Sequence, residues 1–348
     1  MKSLPNLTGL RFFLASLVVL YHLPQFCENR GFPYFNELAI FSKGSEAVYV
    51  FFTLSGFLII RNLIKEKLAT NTINLKNFYR NRVLRIFPLY YLTLTIGFIY
   101  YNFIIQLFGY TSEYTIDIGK DLLLGVTFFA NILATYKPGG IIEVLWSIAI
   151  EEQFYLLIAP LFLFIQRRFI FSFLLVFTLG YFLLYNLSIV EFISKYNMLY
   201  YYFSAGGILA FISIKYKEFK LPNLTHYCFL GLFIALFLSN YFKENLSVFQ
   251  YQLVCTIVFS SSVYFLSLKP YKILQSGVLK FLGKISYGIY VYHAIVFQLI
   301  GFIFLKWQPT NSNVFIILFY SSVFLLTIGI SALSYKYFEK PFLRLKIK

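Results

Sequence analysis

The chain has 348 residues, of which 59% are apolar and 13% charged, with a formal net charge of +16. A mean hydropathy of +0.72 excludes an ordinary soluble domain and predicts a polytopic membrane protein. The basic residues fall in short loops between apolar segments, so membrane topology accounts for the charge better than nucleic acid does.

Ten apolar segments approach the ~20 residues that a bilayer demands. They run over 7–26, 46–64, 86–108, 143–165, 169–188, 198–214, 225–241, 246–268, 285–304 and 313–335. A shorter stretch, 120–135, is followed by Lys137-Pro138-Gly139-Gly140 and reads as a re-entrant or interfacial helix. The expected fold is therefore all-α and polytopic, with about ten transmembrane helices and one short extra helix in a single membrane-embedded domain, 1–348. Both termini are expected in the cytoplasm. That arrangement puts 22 of 30 basic residues inside, Lys2, Lys217, Lys220 and Lys348 among them, and leaves seven outside with Arg11 in the first span. A crossing at 120–135 would flip every later loop and erase most of this bias. No internal repeat of the kind found in many transporters is present. Cys27, Cys228 and Cys255 are scattered and form neither a disulfide framework nor a metal spacing. Arg11 and His22 interrupt the first segment, which is expected to stay as a span rather than be cleaved.

Five runs carry chemistry. In the first span, Arg11 and His22 are separated by 11 residues, a turn of about 1100°, which puts them on one helix face about 16 Å apart. Ionisable groups at bilayer depth are costly. The plain reading is an anchoring arginine plus a hydrogen-bonded core histidine. The functional one makes His22 a general base, since neutral imidazole can take a hydroxyl proton near pH 7. In the second span, Ser55-Gly56 reads first as close helix approach, with Ser55 a residue lining the substrate path.

Arg80, Arg82 and Arg85 precede the third predicted span. They are either an ordinary positive-inside cluster or a clamp for a polyphosphate donor such as coenzyme A, because guanidinium grips phosphate in a bidentate fork. Trp146 opens a run containing Glu151 and Glu152, two carboxylates within a span. They are either a structural ion pair with an arginine or one orients His22 while the other holds a basic group. Ser286, Tyr290 and His293 recur at i, i+4 and i+7 and form a polar stripe on one face, expected to line a cavity. His226 is expected to be incidental. By rise per residue, His22, Glu151, Ser55 and His293 reach the middle to outer half of the membrane, with the arginines at its cytoplasmic mouth.

The runs LTGLRFFLASLVVLYH from Leu7, FFTLSGFLI from Phe51, RNRVLRIFPLYYL from Arg80, LWSIAIEEQFYLL from Leu145, LGKISYGIYVYH from Leu282 and SYKYFEKPFL from Ser334 resemble the acyltransferase-3 family of bacterial integral membrane O-acyltransferases. The resemblance covers essentially the whole chain. It implies transfer of an acyl group, most often acetyl, to an extracytoplasmic carbohydrate acceptor. It also implies that Arg11, His22, Arg80 and Arg82 matter for activity.

The expected enzyme sits in the bacterial cytoplasmic (inner) membrane. It uses acetyl-CoA or another acyl-CoA as donor substrate, and no permanently bound cofactor or metal is expected. His22, Glu151 and Glu152 are the catalytic candidates, and Arg11, Arg80, Arg82 and Arg85 the donor-binding ones. Ser55, Trp146, Ser286, Tyr290 and His293 are the candidates for lining the path. Expected partners are membrane lipid, the donor, a surface polysaccharide or lipopolysaccharide sugar, and a separate periplasmic or extracellular transferase for any second step. The competing reading is a glycolipid or polysaccharide-precursor transporter or flippase without acyl transfer.

Overall fold

A computed structural model describes residues 4–107, 117–216, 222–307, 309 and 311–347. Lys2, Lys217, Lys220 and Lys348 of the predicted cytoplasmic set, and position 108 of the third predicted span, lie outside the described residues. Helices up to the middle of the chain include α1 Leu7–Glu28, α2 Gly44–Thr70, α3 Leu75–Ile99, α4 Ile118–Val126, α5 Ala130–Ala134, α6 Gly140–Glu143 and α7 Trp146–Phe164. They continue with α8 Ile170–Asn186, α9 Tyr200–Lys215, α10 Asn223–Leu238, α11 Val248–Leu266, α12 Gly277–Lys284, α13 Ser286–Lys306, α14 Ser312–Ser334 and α15 Lys340–Arg344. There is no strand among the described residues. The protein is an all-α polytopic membrane protein, with eight helical stretches among the described residues long and apolar enough to cross a bilayer. Two of the ten predicted spans, now α9 and α10, have 16 residues each. At 1.5 Å per residue that is about 24 Å of helix, short of a ~30 Å hydrocarbon core.

One prediction needs correction. The third helix starts at Leu75, not at 86, because the Asn74 side chain accepts from the Asn77 amide at 3.0 Å and caps it. Arg80, Arg82 and Arg85 therefore lie in the second and third turns, beyond the first turn where the helix dipole acts.

The chain forms two compact units, and the division falls within α7, between Leu156 and Leu157. The first unit contains Met1–Arg30, Tyr34–Ile73 and Leu157–Lys284. Its centre is the pairing of α2 with α9. Tyr49 stacks on Tyr202 at 4.8 Å and Phe52 on Phe203 at 4.6 Å, and a Cβ on Gly56 would stand 2.0 Å from the Phe203 carbonyl oxygen. One turn on, a Cβ on Gly206 would meet the Thr53 oxygen at 2.2 Å. From Tyr49–Tyr202 to Ile60–Gly207, where an added Cβ would meet Ile60 at 2.3 Å, rising numbers pair with rising numbers, so α2 and α9 run parallel. Parallel alignment requires an odd number of crossings between them. The long stretches Leu75–Leu107, Gly140–Phe164 and Arg167–Asn186 supply three.

The second unit contains Gly31–Pro33, Asn74–Leu156 and Ile285–Lys348. Here 120–135 is not one helix: α4 and α5 are nine and five residues long, too short to span, and Phe128 between them has a φ of 60°. Carbonyls that the break strips of helical partners find side chains instead. Tyr90 Oη donates to Gly125 O at 2.7 Å, Tyr91 Oη to Val126 O at 2.9 Å and Gln153 Nε2 to Phe128 O at 2.7 Å. The Tyr90 ring also stacks on Phe128 at 4.4 Å. This is the condition under which irregular backbone is tolerated inside a membrane protein.

The α2/α9 contact leaves no room for a side chain at position 56. Gly56→Ala should cost about 1–3 kcal/mol of stability, read as a lower Tm in detergent. Gly180→Ala, with nothing within 4 Å of the added carbon, should keep the native Tm.

Candidate active site

In the first unit, the Leu7 run divides into a packing half and a chemical half. Asn6 is buried: its Nδ2 donates to Leu266 O at 2.8 Å and Lys269 O at 2.6 Å, and its Oδ1 accepts from the Tyr271 amide at 2.9 Å. A Cβ on Gly9 would meet Leu274 O at 2.6 Å, and one on Gly283 would meet Thr8 O at 1.8 Å. These residues seat the start of α1 on the 266–283 segment. Arg11 and His22 follow on the same helix, both partly exposed. His22 Nδ1 lies 3.1 Å from Gln25 Oε1, three residues on. An amide oxygen only accepts, so Nδ1 carries the proton and Nε2 is the basic nitrogen. Ser55 is partly exposed on α2, beside the Gly56 crossing.

The sequence reading missed a polar nest in this unit. Lys43 and Glu46, at the start of α2, are 0% and 1% exposed. Tyr251 Oη donates to Glu46 Oε1 at 2.8 Å, and Lys243 Nζ lies 3.8 Å from the same oxygen. Burial pushes the Lys43 pKa down, and the Glu46 carboxylate opposes that shift. Beside them, Tyr202 and Tyr201 donate to Gln252 Oε1 at 2.6 and 3.1 Å. Glu46 sat at the edge of the predicted span 46–64, where a carboxylate facing water costs nothing. Its burial is a tertiary fact.

The second unit gathers most of the remaining candidates. Glu152 is 5% exposed and Glu151 is partly exposed, and the Tyr155 hydroxyl donates to Glu151. The Arg82 guanidinium stands 5.8 Å from the Tyr155 ring centroid, within electrostatic range of Glu151, Glu152 and Arg85. Neighbouring glutamates point about 100° apart on a helix, so they face different surroundings. Gln153 secures the α4–α5 break, and its Nε2 also donates to Asn131 Oδ1 at 2.8 Å. Trp146 opens α7, and the next residue, Ser147, is hydrogen-bonded to Tyr290 Oη at 2.6 Å. Tyr290 also donates to Val144 O at 3.1 Å. Ser286, Tyr290 and His293 are all buried on one face of α13, with the His293 ring 6.0 Å from Tyr290 and 5.5 Å from Phe297. In the first unit, His226 is tied to the Tyr271 hydroxyl.

Two groups, one in the last run and one in the tail after it, come in addition to the residues the sequence singled out. After α14 the chain makes a π-helical turn, Tyr335–Glu339, a geometry frequent at functional sites. Glu339 is buried there within electrostatic range of Arg85, and Tyr292 Oη reaches it through Ser334 in bonds of 2.9 and 3.4 Å. The tail then folds onto α3. Arg80 Nη2 donates to Leu345 O at 3.2 Å, and the Asn81 amide both donates to Ile347 O at 3.2 Å and accepts from its N–H at 3.0 Å. Lys346 is held between these anchors. Burial, then Arg85 and Arg82, lower its pKa to about 7. Three cations thus crowd together, an arrangement that a bound polyanion would relieve.

The nest around Glu46 makes a stability prediction. Glu46→Gln should lower the Tm, because it leaves the buried Lys43 without that carboxylate; adding Lys43→Met should recover part of the loss.

Comparison with known proteins identifies the family. The family described as an acyltransferase domain matches residues 4–336. A protein of Acidianus two-tailed virus, named for acetyltransferase activity, is 32% identical over 85% of this chain and 84% of its own length. The O-acetyltransferase OatA of Staphylococcus aureus strain NCTC 8325 is 26% identical over 98% of this chain and 57% of its own. A second protein of that species, from strain COL and named for O-acetyltransferase activity, is 26% identical over 100% of this chain and 58% of its own. The chain therefore spans rather more than half the length of these staphylococcal relatives. No solved structure matches it.

Proposed function

The chain belongs to the acyltransferase-3 family and is a multi-pass membrane acyltransferase, and from that premise we propose that it moves an acetyl group from cytoplasmic acetyl-coenzyme A to a hydroxyl of an extracytoplasmic carbohydrate. Names of the staphylococcal relatives support the O-acetyl chemistry. The observation that carries the donor assignment is the cationic cluster of Arg80, Arg82, Arg85 and Lys346 in the second unit, where the tail is hydrogen-bonded to α3. Guanidinium and ammonium groups gathered at one end suit the phosphates of coenzyme A. A flippase does not require such a cluster at one mouth only.

His22 supplies the base. Its Nε2 takes the proton as the acceptor hydroxyl oxygen attacks the thioester carbonyl. A C–O bond forms, the C–S bond breaks, and the proton passes on to the coenzyme A thiolate. Gln25 holds the tautomer that leaves Nε2 basic. Arg11 stands on the same helix, three turns before His22. The acceptor belongs to the class of surface polysaccharide or lipopolysaccharide sugars. The enzyme sits in the cytoplasmic membrane with both termini inside, a reading that the 22-to-7 distribution of basic residues supports.

His22→Ala should lower transfer of labelled acetyl from acetyl-coenzyme A to the acceptor glycan by roughly 10²–10⁴-fold, the usual contribution of a positioned base. The variant should still accumulate in the membrane at the native level, and retained activity would refute the role. Lys346 adds a pH signature. It is charged below about 7 and neutral above, so native protein should bind coenzyme A more tightly than Lys346→Met at pH 6. That gap should narrow as the pH rises to 9. Equilibrium binding at fixed ionic strength measures it, and a gap independent of pH would remove Lys346 from the donor seat.

A further inference from the structure

Two adjoining surface grooves in the first unit take no part in the chemistry above. One, an open groove of about 560 Å³, lies between the end of α7 and a single face of α8, lined mainly by Phe164, Ile165, Phe169, Phe173, Val176 and Phe177, with Gln166 and Ser172 among them. The α8 positions recur at i, i+4, i+7 and i+8 from Phe169 and so form one apolar stripe. The other, of about 450 Å³, shares Phe164, Ile165 and Gln166 with the first and continues to Lys67, Asn71, Arg167 and Arg168. An apolar slot thus opens into a basic mouth. The junction exists because α7 stops at Phe164 and the chain makes a 3₁₀ turn, Arg167–Phe169, before α8. Lys67 is 5% exposed and its Nζ donates to Leu163 O at 2.8 Å. An ammonium has three N–H donors, so this bond leaves it further capacity at the mouth.

We propose that this paired groove is a binding site for an anionic phospholipid, with its phosphate on Arg167, Arg168 and Lys67 and one acyl chain in the slot along α8. Charge complementarity selects the occupant. A zwitterionic lipid would bring its own ammonium toward the two arginines, whereas a phosphatidylglycerol headgroup brings only negative charge. Positive-inside topology accounts for arginines at a helix end. It does not account for an apolar slot continuous with them. The site is independent of the donor assignment, since it uses none of Arg80, Arg82, Arg85 or Lys346.

The test uses full-length protein in mixed micelles with equimolar phosphatidylglycerol and phosphatidylcholine, with bound lipid counted by native mass spectrometry. Native protein should retain one phosphatidylglycerol in preference to phosphatidylcholine. Arg167→Ala with Arg168→Ala should weaken that retention roughly 30-fold, the effect of two basic side chains near a membrane surface. Val176→Trp, which fills the slot and keeps both arginines, should also lose the lipid. These side chains are exposed, so each variant should keep the native Tm in phosphatidylcholine alone, which separates lost binding from lost folding. Equal retention of the two lipids by native protein, or undiminished phosphatidylglycerol in the double arginine variant, would overturn the proposal. So would displacement of the lipid by saturating coenzyme A, which would hand the mouth to the donor. Failure of the donor reading itself would show instead as absent acetyl transfer with lipid selectivity intact.

Discussion

Polar backbone inside a hydrocarbon layer must find its partners within the protein, and this constraint shapes nearly every feature of the molecule. Where the chain stays helical, the requirement is met locally. Where it breaks, side chains must be brought in from elsewhere. Tyr90, Tyr91 and Gln153 bind the carbonyls of the interrupted segment around Phe128. Asn6 does the same for the turn after α11, using both ends of its amide. Residues that look like candidate chemistry are thus partly committed to holding broken backbone.

That division of labour changes how the motifs are understood. In the Trp146 run, Gln153 fastens the α4–α5 break while Glu151 and Glu152 face Tyr155 and Arg82. In the Leu7 run, Asn6 and Gly9 serve packing, and the ionisable Arg11 and His22 follow one and four turns later. In the last run, Glu339 sits on a π-helical turn and the tail beyond it carries Lys346 to the arginines of α3. Each motif pairs a structural anchor with a reactive or charged group, and the anchor holds the helix on which that group stands.

The small residues show the same economy of space. Gly56 and Gly206 let the backbones of α2 and α9 touch, and stacked aromatic pairs extend that contact along the helices. Dispersion between closely fitted surfaces, rather than exclusion of water, is what holds helices together in lipid. The nest of Lys43, Glu46 and Tyr251 lies where the same two-helix framework reaches its end, with charge buried beside it.

Length, hydropathy and the bias of basic residues determined the all-α polytopic class and most of the span positions, because a bilayer imposes a length and a composition that a single sequence must display; the family showed only in the resemblance of the motif runs. The motif residues were legible for the same reason: Arg11, His22, Glu151 and Glu152 stand out as costly groups in apolar surroundings. A local cap, the Asn74 side chain on the Asn77 amide, set where α3 begins; tertiary structure decided the rest. It decided that 120–135 is two helices joined by a satisfied break. It decided that Glu46 is buried and that Lys346 reaches the arginines of α3. Those outcomes depend on pairings between residues from 25 to 266 positions apart, and periodicity along the chain records only neighbours three or four residues away.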